Sequence, residues 1–330
     1  MTSADAAFRT TPVPLRICPE PIGVREKSLW MGSCFTSNLG PWLSSLGYPV
    51  LSNPFGVVFH PLVMEKLLTG NPEDFFSYNF ERQGVWLNFL LGTPFFARDE
   101  ETLCRQISEA SAQCCSWLQD SNWLVLTLGT AFHYRHPLAG MVGKCHKLPG
   151  SQFDKIRNSV SEISGVWTEA ILKLRSQNPS LKLLFTLSPV RHSRDGMEEN
   201  MVSKSILRLS IEELCTALPS VYYFPAFELM NDELRDYRFY ASDLVHPSEE
   251  AIRFLRKQFE ARFLKPEEAA LRELAEEIQR MEQHRPQADW TMEAGIWKKQ
   301  LEEKKQLHSA LLAAMHPEGS RLNQWRLPEK

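Results

Sequence analysis

Trp123-Leu124-Val125-Leu126-Thr127-Leu128 is an apolar run of strand length that stops at Gly129. It shows no alternation of apolar and polar residues, so a strand built from it has no solvent face. That is the signature of a parallel sheet covered by helices on both sides. Four more runs share the form. Ser28-Leu29-Trp30-Met31 ends at Gly32, and Tyr48-Pro49-Val50-Leu51 ends at Ser52-Asn53-Pro54. Leu181 to Leu187 ends at Ser188-Pro189, and Val221-Tyr222-Tyr223-Phe224 ends at Pro225. Helical patterns over about 60–69, 100–119, 158–177, 201–217, 226–235 and 248–263 fill the intervals. The alternation predicts an α/β fold, a three-layer α/β/α sandwich on a five-stranded parallel sheet, with 123–128 and 181–187 as neighbouring parallel strands. Ligands bind such sheets beyond the carboxyl ends of the strands.

The boundaries follow from changes of pattern. Residues 15–264 read as one domain, and residues 265–330 as a helical appendage packed on it. Pro266 to Met281 has apolar residues at helical spacing and an acidic first turn, His284-Arg285-Pro286 breaks it, and a second helix runs from about Thr291 to Met315. Residues 71–98, rich in aromatics, Asn and Gly, read as an insertion with a short hairpin that forms part of a pocket wall. With Pro41 in its first turn, a helix is expected to begin near Ser37 to Gly40.

Composition excludes several classes. At 43% hydrophobic and 23% charged residues the chain is an ordinary globular one. A formal charge of −3 gives no global attraction to nucleic acid or to an anionic membrane. A basic stripe with stacking aromatics is lacking too, so no nucleic acid partner is expected. No apolar stretch approaches the roughly 20 residues that span a bilayer, so no membrane insertion is expected. The start lacks a basic segment followed by an apolar one, so no secretory signal is read. Seven cysteines, an odd number without a Cys-x-x-Cys pair, argue against a disulfide framework or a zinc knuckle and for a reducing cytoplasm. His146 and His192 lack the spacing of a metal pair, so neither metal nor cofactor is expected. The oligomeric state is not legible.

Two short motifs carry chemistry. Asp243 and His246 stand three residues apart in Asp243-Leu244-Val245-His246, close enough for the acid to hold the ring in one tautomer. Gly32-Ser33-Cys34-Phe35 follows the first apolar run, where a strand hands over to a helix, and offers a nucleophile. Pro247 biases His246 toward extended backbone, and Ser248 reads as the N-cap of the next helix. The competing reading of Cys34 is a small buried hydrophobe.

These motifs belong to an ordered set. It runs from Met31-Gly-Ser-Cys-Phe-Thr36 through Asn53-Pro-Phe-Gly56, Leu126-Thr-Leu-Gly-Thr130, Cys145-His-Lys147, Ser188-Pro-Val-Arg-His192, Asn200 to Lys204, and Tyr223-Phe-Pro-Ala226. It ends with Asp232 to Tyr240 and Asp243-Leu-Val-His246-Pro-Ser248. On these residues, over about 15–290, the chain resembles the GSCFA family, within the SGNH (GDSL-like) hydrolases; Thr36 stands where the family name has Ala. The resemblance implies an SGNH, flavodoxin-like sandwich and an ester-directed site. Laid on the Gly-Asp-Ser-Leu turn of that group, Cys34 takes the nucleophile's place with Ser33 beside it, and either one is a candidate. His246 is then the base and Asp243 its orienter.

Oxyanion donors are expected from the backbone N–H groups of Cys34 and Gly56. The group's Asn is missing from Gly129-Thr130-Ala131-Phe132, which leaves Thr130 or Asn53 to replace it and counts against simple hydrolysis. His146, Lys147, Arg191, His192, Lys204, Arg235 and Arg238 follow the strand ends and read as an anion-recognition set. The alternative is a buried network pairing Asp232 and Asp236 with the arginines. The leading reading is a hydrolase of a small-molecule or carbohydrate ester, neutral or anionic. An acyltransferase of carbohydrate or cell-envelope metabolism and a non-catalytic binding or assembly module are the rivals.

Overall fold

In the computed structural model, which describes residues 10–14, 16–193, 196–284, 286, 288 and 290–315, strand and helix alternate as the apolar runs require. In chain order the first elements are β1 (Ser28–Gly32), α1 (Cys34–Ser45), β2 (Val50–Ser52) and α2 (Pro61–Thr69). A 3-10 turn (Pro72–Tyr78) leads into β3 (Asn79–Arg82), β4 (Val85–Asn88) and β5 (Phe96–Ala97), then α3 (Glu100–Gln119) and β6 (Trp123–Leu128). There follow β7 (Phe132–His136), β8 (Gly140–Val142), β9 (Asp154–Arg157), α4 (Val160–Gln177), β10 (Lys182–Leu187), α5 (Met197–Ala217) and β11 (Val221–Phe224). The last are α6 (Ala226–Glu228), α7 (Glu249–Phe263), α8 (Ala269–Gln283) and α9 (Met292–Met315).

Five strands form one parallel sheet in the order β11-β10-β6-β1-β2. β10 pairs β6 from Lys182↔Trp123 to Leu187↔Leu128, and β1 pairs it from Ser28↔Trp123 to Gly32↔Thr127. Side chains alternate across the sheet. Leu29, Met31, Leu124, Leu126, Leu183 and Phe185 face α2, α3, α4 and α5 in one core. Trp30, Trp123, Val125, Leu184 and Phe224 face α1, α7 and α8 in the other. Both faces are dry, which is why the strands carry no polar alternation.

The helix after β1 starts earlier than expected, at Cys34. Ser33 caps it by accepting the Phe35 N–H at 3.2 Å, and that cap lets the helix begin directly at the strand's end. Pro41 therefore stands on the exposed side of the helix interior, not in its first turn. Thr36 ties the helix to the sheet through Thr127 Oγ1 at 2.6 Å. The pattern over 226–235 is only one α turn, passing into a π turn (Leu229–Leu234) closed by Arg235 in a left-handed conformation.

Residues 71–98 hold the expected hairpin, β3-β4, with β5 as a third strand. A second antiparallel sheet, β8-β7-β9, was not expected from the sequence. The two helices after Phe263 cover the α1–α7 face. Glu268 accepts the Val24 N–H at 2.9 Å and the Tyr48 hydroxyl at 2.7 Å, and Arg272 donates to Glu260 at 2.6 Å and to Tyr48 at 3.0 Å. The last part of the proposed appendage, 316–330, lies outside the described residues.

Gly32 has a φ of +150°, and a Cβ there would fall 2.5 Å from Thr127 O and 2.6 Å from Thr127 Cβ. Since backbone cannot yield as a flexible side chain can, Gly32→Ala is expected to lose about 3 kcal/mol in urea unfolding, at the upper end of overpacking costs. A loss under about 1 kcal/mol would show that the two strands can part here.

Candidate active site

Cys34 is exposed at the first residue of α1, where helical N–H groups lack intrahelical partners and favour negative charge. Ser33, one residue back, is buried; its Oγ takes the Phe35 N–H and donates to Ser188 Oγ at 2.9 Å. Asn53, in a left-handed conformation after β2, straps the turn from the other side. Its Oδ1 accepts the Gly32 N–H at 2.9 Å, and its Nδ2 donates to Ser37 Oγ at 3.1 Å. Nδ2 carries a second N–H beside the first turn of α1.

The Asp243–His246 pair forms as the spacing requires. His246 Nδ1 lies 2.6 Å from Asp243 Oδ2, while Asp243 Oδ1 accepts the backbone N–H groups of Val245 and His246, each at 2.9 Å. Leu244 takes a left-handed conformation to close this turn. The pair stays open to solvent, with side chains 45% and 50% exposed for His246 and Asp243. With Nδ1 engaged, Nε2 is the ring nitrogen left for proton transfer. Ser248 caps α7 through the Ala251 N–H at 3.2 Å, as expected.

Two sets of contacts join this loop to the nucleophile turn. Arg191 donates to Leu244 O at 2.7 Å and lies 4.2 Å from the Tyr240 ring centre. Three residues before it, Ser188 holds Ser33. On the other flank, Arg256 of α7 donates to Asn38 O at 2.9 Å, and Asn38 Nδ2 donates to Cys34 O at 2.9 Å. Cys34 and the His246 loop thus share the carboxyl edge of the sheet.

Other expected site residues serve elsewhere. The Gly56 N–H is given to Asn53 O at 2.8 Å, which takes it from the oxyanion role. Buried Thr130 has its hydroxyl 3.2 Å from Ser203 Oγ and accepts the Phe132 N–H at 3.1 Å. Lys204 is buried and donates to Gly129 O at 2.7 Å and Ser188 O at 2.8 Å, bracing the exits of β6 and β10; burial lowers its pKa to about 7. His146 Nε2 meets Asn88 O at 2.8 Å, and His192 lies against Phe59 with its N–H on Asn200 Oδ1 at 2.9 Å. Lys147 is exposed, and Arg238 lies over Phe239. The basic set is therefore divided among several structural tasks. The alternative buried acid–arginine network is not formed either: Asp232 and Asp236 are exposed, and Arg238 meets Asp236 on the surface at 3.9 Å.

One cation escaped the sequence reading. Lys144 is half-buried and donates to Thr93 Oγ1 at 2.8 Å. It sits one residue before the Cys145-His146-Lys147 motif.

The GSCFA family profile matches residues 27–259, which takes in both the nucleophile turn and the Asp243–His246 loop. The chain belongs to the GSCFA family. No curated protein matches it. Among solved structures it is similar to an acetyl xylan esterase (Est2A) from the rumen bacterium Butyrivibrio proteoclasticus, at 13% identity and a TM-score of 0.35. The match covers 76% of this GSCFA chain and 64% of the esterase chain, under two thirds of the latter.

Among the described residues of this GSCFA protein no helix is long and apolar enough to cross a membrane, and no three His, Cys, Asp or Glu side chains gather as a metal site. Surface depressions lined by Pro94, Phe95 and Gln106, and by Glu20, Arg175 and Lys182, do not include Cys34, Asp243 or His246.

Asp243 is held at a pKa of about 2, below its ordinary 3.8, first by the His246 backbone N–H, then by that of Val245, then by the imidazole. A depressed carboxyl contributes stability above its unfolded value and loses it as pH falls through the folded one, here between 3.8 and about 2. Carboxyl NMR is expected to place the Asp243 midpoint near 2, and still below 3.8 in His246→Ala, since the backbone donors remain. A wild-type midpoint at 3.8 would contradict the closed turn.

Proposed function

We propose that this protein cleaves or transfers an acyl ester by nucleophilic catalysis with Cys34, His246 and Asp243. The observation that carries the assignment is the contrast at the turn. Ser33 is buried with its hydroxyl spent in two hydrogen bonds, whereas Cys34 is exposed at a helix N-terminus on the edge that holds His246. The contact of His246 Nδ1 with Asp243 supports a base that works through Nε2.

In this reading His246 takes the Cys34 proton and the thiolate adds to the ester carbonyl. The oxyanion is met by the Cys34 N–H and the second N–H of Asn53 Nδ2, which does the work of the missing Asn. His246 then protonates the departing alkoxide, leaving a thioester on Cys34. Water or a sugar hydroxyl, deprotonated by His246, attacks the thioester and frees the thiol. The substrate is an ester of a small molecule or carbohydrate, and the thiol suits a reducing compartment such as the cytoplasm.

Intact mass spectrometry after incubation with p-nitrophenyl acetate is the test. An acetyl adduct on the Cys34 peptide is expected. Cys34→Ala is expected to lower turnover by about three orders of magnitude, and His246→Ala by about two. Ser33→Ala is expected to keep the adduct while losing about 1 kcal/mol of stability with its cap. Loss of activity in Ser33→Ala with an unreactive Cys34 would transfer the role to serine. No adduct from any acyl donor would leave a binding module.

A further inference from the structure

The last helix, α9, has two apolar faces, and the fold uses one of them. Ala294 and Leu301 are buried, and Leu311, Leu312 and Met315 pack on the core that also holds α1 and α8. Trp297 Nε1 donates to Met281 O at 3.2 Å, and Lys304 and Lys305 pair with Glu277 and Glu282 at 2.9 and 2.7 Å. These contacts fix the rotation of α9 about its own axis.

The opposite face runs through Met292, Ile296, Lys299, Glu303, Leu307 and Ala310, at steps of three or four residues that keep them in line on a helix. Met292 is 84% exposed, and Ile296 and Leu307 are 53% exposed. Among the described residues no element covers this face. A surface helix ordinarily turns polar residues to solvent, so three large apolar side chains in one line there mark an interaction surface.

Its charges select the occupant. Lys299 and Glu303 are both exposed and stand on either side of the level of Leu301, two residues away in each direction. When a second copy of α9 is laid antiparallel about that level, Lys299 comes opposite Glu303 of the second copy, and Glu303 opposite its Lys299. Met292 then meets Ala310 at equal height, and Ile296 and Leu307 differ by one residue, about 1.5 Å. A parallel pairing would set each charge against its like. The 24 residues of α9 extend for about 36 Å. Pairing along that length buries on the order of 1,000 Å² in all, which reaches the lower range of specific interfaces.

We propose that α9 is a dimerisation helix, through which two copies of this chain associate by their outward faces, antiparallel, about a two-fold axis at the level of Leu301. Such an interface is isologous, so each contact occurs twice. It uses no residue of the proposed active site and stands whether or not the acyl-ester reading holds.

Sedimentation equilibrium on the full chain tests this. The wild type is expected to dimerise with a Kd of about 10–100 μM. Ile296→Glu and Leu307→Glu, at exposed positions, are each expected to raise that Kd about tenfold or more, because the pairing would bury an unpaired charge. Lys299→Glu and Glu303→Lys are each expected to weaken self-association about fivefold. An equimolar mixture of those two variants is expected to regain wild-type affinity as a heterodimer, since every facing pair is then opposite in sign. The double variant Lys299→Glu/Glu303→Lys, which exchanges the charges, is expected to associate like the wild type. Circular dichroism confirms that each variant is folded, and the charge variants carry the test if either apolar replacement unfolds. A wild-type chain that sediments as a monomer at about 500 μM overturns the proposal. So does a dimer indifferent to folded Ile296→Glu and Leu307→Glu, which would lie on another surface. Failure of the mixed charge variants to associate overturns the antiparallel arrangement.

Discussion

Gly32 lies against Thr127 with no room for even a methyl group between them, and the whole carboxyl edge of the sheet is organised around that contact. Without a side chain at its last residue, β1 stays flush with β6 to the end of the pairing. The chain then turns at once, so Ser33 can cap α1 and Cys34 can take its first position. Asn53 holds the same turn from β2, through the Gly32 N–H. A bulkier residue would part β1 from β6, and the cap, the strap and the cysteine would all move with it.

The same edge is braced from inside by a charge. Lys204 reaches from α5 to the carbonyls at the exits of β6 and β10, adjacent strands whose loops reach toward the site. Burial weakens its hold on the proton, yet both carbonyls gain a donor that no side chain of the sheet could supply. Ser188 belongs to both systems: its carbonyl is held by Lys204, and its hydroxyl by Ser33.

Polar groups at this edge thus divide by how their hydrogen-bonding capacity is used. Ser33, Thr130, Lys204 and the Gly56 N–H spend theirs inside the protein and set positions. Cys34 is exposed, and His246 engages Asp243 through Nδ1 with its side chain 45% exposed. The proposed chemistry uses the second group, because a group already satisfied by the fold has little left to offer a ligand.

The sequence by itself determined the sheet and the dyad. Apolar runs without alternation required strands buried on both faces, and the structure pairs 123–128 with 182–187 in parallel. Asp243 and His246 were legible because three residues of backbone can close only a small turn, whatever surrounds it. The Ser248 cap was local in the same way. Tertiary structure decided the rest. Ser33 differs from its neighbour through Ser188, 155 residues away, and Lys204 became a brace through Gly129, 75 residues away. Lys144 meets Thr93 and His146 meets Asn88 O, because the returning chain lays residues 88–93 beside this loop. Such choices depend on what the returning chain brings alongside, and residue spacing carries no record of that.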